Sequence, residues 1–420
     1  MITRSSFRGW PGFITGLALV LQATAAELPV VAPETAGMSA VKLKQVDAVV
    51  SDLIEKQSLA GASVAIARHG KVVYFKTFGK MDIEAGIPMR EDTIFRIYSM
   101  SKSITTAAAL LLVDAGKLGL DDPVSKYIPE FKDPKVWSDG AAAPARRGPS
   151  VRDLMRHTAG LTYGGGESPP EKQFREAKIL DRATSLEAMG QRLGPIPLAY
   201  EPGTRWQYSC SVDVLGRVVE VASGMKFDAF LKRRLFEPLD MKDTGFFVPA
   251  AKLDRFAATY QSDGKGGLKV SDAPATSAFL KNPAQFSGGG GLVSTTRDYL
   301  RFLVMIAQGG QLDGKRLLKP ETVALMTHNQ LPPEAMPIAF GKQQRSGVGF
   351  GLGFNVRVAA TPDWDPAGPV GEYGWGGMAS THYCASPKHD LVVVTMEQTL
   401  PYSFKLEWAV KGLIYDAVMD

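Results

Sequence analysis

Ile94-Phe95-Arg96-Ile97-Tyr98-Ser99-Met100-Ser101-Lys102 joins an apolar approach to an alanine- and leucine-rich run, and it sets a hydroxyl and an amine three residues apart. Residues at i and i+3 share a helix face, so a helix opening near the serine turns Lys102 back toward Ser99. An amine held against a hydroxyl is the arrangement of an activated nucleophile. Downstream, Ile104, Ala107, Ala108, Leu111, Leu112 and Ala115 recur at helical spacing, which predicts a buried helix.

Spacing alone does not single out this site, because Ser39/Lys42, Ser223/Lys226 and Ser262/Lys265 share it. Ser39 precedes the amphipathic run 41–53 and reads as its N-cap. Ser223 and Ser262 stand in glycine-containing, turn-like sequence. Only Ser99 opens an apolar helix, although capping is the commoner duty of a serine in such a place.

The 420 residues have room for one large or two ordinary domains, and 45% hydrophobic with 22% charged residues is a soluble globular composition. Arg4 and Arg8, the apolar stretch 12–21 and then Ala23-Thr24-Ala25 have the order of a secretory signal peptide. Residues 1–25 are therefore expected to be removed and the chain exported to the periplasm or beyond. The apolar core is shorter than the roughly 20 residues a membrane span needs, and no cysteine follows for lipid attachment, so no stable membrane anchor is expected after cleavage. Losing both arginines takes the formal charge of +5 down by two, a balance that argues against nucleic acid as a partner.

Both ends of the remaining chain read as β-rich. Runs 62–67 and 72–78 form a hairpin around Arg68-His69-Gly70-Lys71, and runs 378–385 and 391–396 form a strand pair closed by a helix at 404–418. Helical patterns at 212–222, 227–235 and 297–306 lie between them. The fold class is thus α+β: residues 26–97 and 340–420 build one antiparallel sheet flanked by helices, and 98–339 form an inserted, mainly helical domain. Long turn-rich connections at 138–150, 195–203, 286–291, 332–347 and 361–377 either wall a cleft or serve as exposed spacers.

Two further stretches offer chemistry. Tyr208-Ser209-Cys210 stands at a loop-to-helix junction, where a tyrosine can project its hydroxyl into a cleft, though a packed aromatic is the plainer reading. Gly374-Trp375-Gly376-Gly377-Met378 opens an expected strand, and glycines there admit a close backbone approach; a simple strand start with a packed tryptophan is the alternative.

Taken in order, these segments resemble the serine β-lactamase and penicillin-binding protein superfamily, and more narrowly the family VIII carboxylesterases. The likeness runs through Leu154-Met155-Arg156-His157-Thr158-Ala159-Gly160-Leu161, Glu201-Pro202-Gly203, Ser287-Gly288-Gly289-Gly290-Gly291 and Gly351-Leu352-Gly353-Phe354 as well. It implies a β-lactamase/penicillin-binding-protein-like fold with the site between sheet and helical domain. It makes Ser99 the nucleophile and Lys102 and Tyr208 its proton-transfer partners. Lys102, desolvated beside Tyr208, has reason to be neutral or to hold the tyrosine as phenolate. The backbone N–H groups of Ser99 and Met378 become the oxyanion hole, and Trp375, Gly376, Gly377 and Cys210 become substrate contacts.

Departures from the β-lactamase pattern bear on substrate. Cys210 stands where the lactamases carry asparagine, and Trp375-Gly376-Gly377 replaces lysine, threonine or serine, and glycine. A tryptophan cannot offer a β-lactam carboxylate the charge-assisted hydrogen bond of a lysine. Neutral esters of short to medium acyl chain are therefore the expected substrates, with weak cephalosporin hydrolysis left open. An amide hydrolase of the same fold, and a binding or sensor protein that acylates without turnover, are the alternatives.

No Gly-x-Ser-x-Gly occurs, so the nucleophile elbow of the α/β-hydrolases is absent. The five histidines show no metal-binding spacing, and neither a metal nor an organic cofactor is expected. The two cysteines of an exported chain invite a disulfide. If 376–386 were one continuous strand, Cys384 would lie about 25–30 Å from Trp375, far beyond the roughly 7 Å between Cα atoms that a bridge requires. Two unpaired, apolar-packing thiols are expected.

Overall fold

The computed structural model describes residues 27–419 together with Met1, so the expected leader lies outside the described residues but for that methionine. Its largest sheet has eight strands: β1 (Gly61–Arg68), β2 (Lys71–Asp82), β3 (Ile87–Pro88), β4 (Val348–Phe350), β5 (Asn355–Arg357), β6 (Tyr373–Gly377), β7 (Thr381–Ser386) and β8 (Leu391–Met396). In space they run β4-β5-β6-β7-β8-β1-β2-β3, and every neighbouring pair is antiparallel. The chain ends meet where β1 pairs with β8, Ser63 opposite Met396 and Arg68 opposite Leu391.

Strand alternation sorts the core into two layers. Ala62, Val64 and Ile66 of β1, with Leu391 and Val393 of β8, face α1 (Ala40–Glu55) and the C-terminal helix Lys405–Asp416. Ala65, Ala67, Val392 and Val394 point the other way into the main core. Covering on both faces explains why β1, β7 and β8 are buried along their whole length. Ser39 caps α1 as expected, its side chain accepting from Lys42 N.

Helix α2 (Ser101–Asp114) runs through the middle of the molecule and is buried at every residue from Ser101 to Leu112. Its small residues allow close packing on α3 (Ser211–Ser223), and its buried hydroxyls tie down loops. Ser103 Oγ donates to Gly353 O at 2.8 Å, and Thr105 Oγ1 donates to Gly288 O at 2.8 Å. These bonds satisfy polar groups whose burial would otherwise cost about 1–3 kcal/mol each.

Three expectations need correction. Helix α4 (Thr296–Ala307) falls within 98–339, yet it packs across β1 and β8, because its apolar face matches that side of the sheet. Within the expected loop 138–150, residues Ala141–Pro144 pair with Lys135–Ser138 as a hairpin. Residues 376–386 are two strands: β6 ends at Gly377, a turn with Ser380 at φ 64° reverses the chain, and β7 runs back. Gly374 is therefore the cross-strand partner of Cys384. Both cysteines are free and buried, so the expected outcome holds although the distance reasoning behind it does not.

Candidate active site

Ser99 sits in the single 3-10 turn Tyr98–Met100 that leads into α2. Tyr98 has φ 40°, a left-handed conformation unusual for a bulky residue, and such strain persists only where surroundings enforce it. Here the enforcement precedes Ser99: Arg96, fully buried, reaches Asp272 Oδ2 at 2.7 Å and the Ala257 carbonyl at 2.6 Å, while its guanidinium lies 4.0 Å from the Phe256 ring.

Two side chains converge on the Ser99 oxygen. Tyr208 Oη lies 2.6 Å from Ser99 Oγ, and Lys102 Nζ lies 3.1 Å from the same atom. Lys102 is 1% exposed, donates to Gly289 O at 2.6 Å, and stands 4.6 Å from the centre of the Tyr208 ring. The other serines of the Ser-x-x-Lys series have local duties: Ser39 caps α1, Ser223 Oγ faces Glu220 O, and Ser262 Oγ accepts from Gly264 N.

A cavity of about 980 Å³ opens on this cluster, and Ser99, Tyr208, Trp375, Gly376, Gly377 and Met378 all line it. The tryptophan ring packs 5.4 Å from Tyr208. A Cβ at Gly377 would collide with the Ile97 carbonyl oxygen, so what approaches this glycine is the chain's own nucleophile-bearing segment. Met378 is thereby brought beside that segment.

Cys210 does not line the cavity. It is 0% exposed, stands just before α3 without a side-chain capping bond, and packs in the main core. With Tyr208 facing the cleft, the chain turns into α3 and carries the residue two places later inward; this corrects the expectation of a substrate contact.

Sequence reasoning missed Asp213, in the first turn of α3. Its fully buried carboxylate accepts from Ser287 Oγ and from Gly289 N at 3.1 Å, and burial pushes its pKa up against the pull of Lys102. It thus fixes the glycine whose carbonyl holds Lys102. An aspartate there looks like a helix-terminal charge, and its only sequence clue is the distant Ser287-Gly288-Gly289. Tyr163, another cavity residue, covers Lys102 at 5.4 Å. His157 packs 4.9 Å from Tyr208, and burial lowers its pKa well below the ordinary range, so it serves as a neutral wall. Among the described residues no group of three His, Cys, Asp or Glu side chains converges to hold a metal.

The Beta-lactamase family matches residues 46–413. This chain belongs to that family. Within it, protein Rv1367c of Mycobacterium tuberculosis (strain ATCC 25618 / H37Rv) is 35% identical over 363 residues, 84% of this chain and 89% of that protein. Esterase EstB of Burkholderia gladioli is 34% identical over 360 residues, covering 80% and 84%. Among solved structures, EstCE1, described as a hydrolase with promiscuous acyltransferase activity, superposes with a TM-score of 0.77 at 29% identity, covering 89% of this chain and 99% of that one. These matches establish a Beta-lactamase family member with the fold expected from the sequence.

Proposed function

We propose that the chain is a serine carboxylesterase that cleaves esters of short to medium acyl chain through an acyl-enzyme on Ser99. The observation that carries this reading is the convergence of the Lys102 amine and the Tyr208 phenol on one serine oxygen, at 3.1 and 2.6 Å. Similarity to an esterase and to a hydrolase of the same fold supports it.

In this mechanism Ser99 Oγ attacks the ester carbonyl and its proton passes to the Lys102–Tyr208 pair. The oxyanion is held by the Ser99 and Met378 N–H groups; removing one such donor typically costs about 3–4 kcal/mol. The C–O bond then breaks as the alkoxide takes a proton from Tyr208. Water enters, gives a proton to the same pair and attacks the acyl carbon, which releases the acid and restores Ser99. Asp213 and Gly289 hold Lys102 in place throughout. Trp375, Phe340 and Tyr163 give the cavity the aromatic walls suited to an acyl chain.

Comparing the protein with its Ser99→Ala variant on p-nitrophenyl butyrate and on a chromogenic cephalosporin tests this. Butyrate turnover lost in the variant, with little cephalosporin cleavage, is the expected result. Ester turnover that survives in the variant overturns the mechanism, and fast cephalosporin cleavage overturns the substrate class.

Export is part of the proposal, supported by Arg4, Arg8, the apolar stretch 12–21 and Ala23-Thr24-Ala25. No described helix is long and apolar enough to cross a membrane. N-terminal sequencing of the protein recovered outside the cytoplasm is expected to begin at Ala26.

A further inference from the structure

The cavity wall beyond Trp375 holds a guanidinium among rings. Arg345 lines the cavity, and its Cζ lies 4.4 Å from the Phe340 ring centre, 5.0 Å from Trp364 and 5.2 Å from Phe404. Phe340 in turn packs 5.6 Å from Tyr208 and 6.0 Å from Trp375, so the cation stands one ring away from the reacting cluster. Rings on this scale fix a guanidinium's position without neutralising it.

Carboxylates on the same wall are engaged elsewhere. Lys411 Nζ reaches Asp365 and Glu372 at 2.7 Å each and Glu407 at 3.6 Å, and Arg357 pairs with Asp365 and Glu372. Among the described residues Arg345 has no carboxylate at ion-pair distance; Glu407 and Asp365, which pair with Lys411, act on it only through their more distant charges, and the Tyr402 phenol stands beside it. Another cavity cation, Arg182, lies 4.7 Å from the Phe279 ring.

We propose that Arg345 is a specificity residue for anionic substrates: the cavity takes esters that carry a carboxylate remote from the scissile carbonyl, and Arg345 binds that carboxylate. The proposal rests on the esterase reading and deepens it. A planar guanidinium offers the paired N–H donors that a carboxylate matches, and the flanking rings remove the water that would screen the pair. The charge recognition absent from Trp375 is thus supplied from a different loop.

The test measures inhibition of p-nitrophenyl butyrate hydrolysis by linear dicarboxylates and by monocarboxylates of equal length, over a series of chain lengths. At the length that spans from Ser99 to Arg345, the dicarboxylate is expected to bind about tenfold more tightly, the usual scale of one charge-assisted hydrogen bond. Arg345→Met is expected to abolish that ratio, Arg345→Lys to keep part of it, and Arg182→Met to retain it. Added salt is expected to reduce it. No dicarboxylate advantage at any length, an advantage that survives in Arg345→Met, or one lost in Arg182→Met overturns the assignment. Calorimetric binding of the same acids to Ser99→Ala gives the same ratio without turnover, so failure of the esterase reading and failure of the Arg345 assignment are separately visible.

Discussion

Two buried lysines illustrate opposite uses of one side chain. Lys411 is wrapped in carboxylates, with Asp365 and Glu372 at 2.7 Å and Glu407 at 3.6 Å, and their charges push its pKa up despite burial. Lys102 hydrogen-bonds only to uncharged oxygens, the Gly289 carbonyl and Ser99 Oγ, while the buried Asp213 accepts from the Gly289 N–H and feels the Lys102 charge without pairing with it. A lysine surrounded by anions is a fixed cation that holds the fold. One facing a hydroxyl and a phenol can exchange protons. Burial does not separate the two; the chemistry of the partners does.

The largest effect that sharpens this contrast is expected for Lys102→Met. Its kcat/KM on p-nitrophenyl butyrate falls by about 10³ or more, while the urea midpoint holds or rises, since an apolar side chain replaces a buried amine. Activity within tenfold of the parent breaks the contrast on its catalytic side. Lys411→Met is the mirror experiment: three carboxylates lose their shared cation, and urea unfolding is expected to show a loss of about 3–5 kcal/mol. A loss below about 1 kcal/mol, the range of an exposed pair, breaks it on the structural side.

Asp213→Asn comes next in size. The amide keeps an acceptor for Gly289 N–H but removes the charge behind Lys102, and a small displacement of the lysine costs on the order of 10–100-fold in kcat. Stability is expected to change little, because the carboxylate is already disfavoured by burial; a variant that loses stability while keeping kcat makes Asp213 a purely structural acid.

The smallest effect, read per pH unit, reports on the burial of His382 and, second to it, on the field of Lys411. Burial first, and then the Lys411 charge, lower the His382 pKa to about 3. An unfolded histidine titrates near 6.5, so between those values the unfolded chain binds the extra proton and stability falls as pH falls. In His382→Gln the loss of stability over that acid range is expected to be shallower, by up to roughly 1 kcal/mol per pH unit. Parallel stability–pH curves for the two proteins count against it.

Ser99, Lys102 and Tyr208 were legible because each occupies a local motif whose neighbours announce the backbone: an apolar approach, a helical spacing, a loop-to-helix junction. The sheet was legible from its two ends by alternation and turn residues. The β6–β7 reversal was not, since Met378-Ala379-Ser380 carries no proline, asparagine or aspartate to mark a turn. Cys210 was misread because position along a motif does not say which way a side chain points once the chain enters a helix. Asp213 and Arg345 escaped for another reason. Their partners, Gly289 for one and Trp364 and Phe404 for the other, lie distant in sequence, so no periodicity links them.

At Gly377 backbone meets backbone, since the strand end rests against the Ile97 carbonyl with no side chain between. The spacing between the Ser99 and Met378 amides is therefore a fixed gauge that no rotamer can widen. Divergence toward new substrates has to proceed through the replaceable rings of the outer wall, around Phe340, Trp364 and Phe404, while the inner jaw keeps its width.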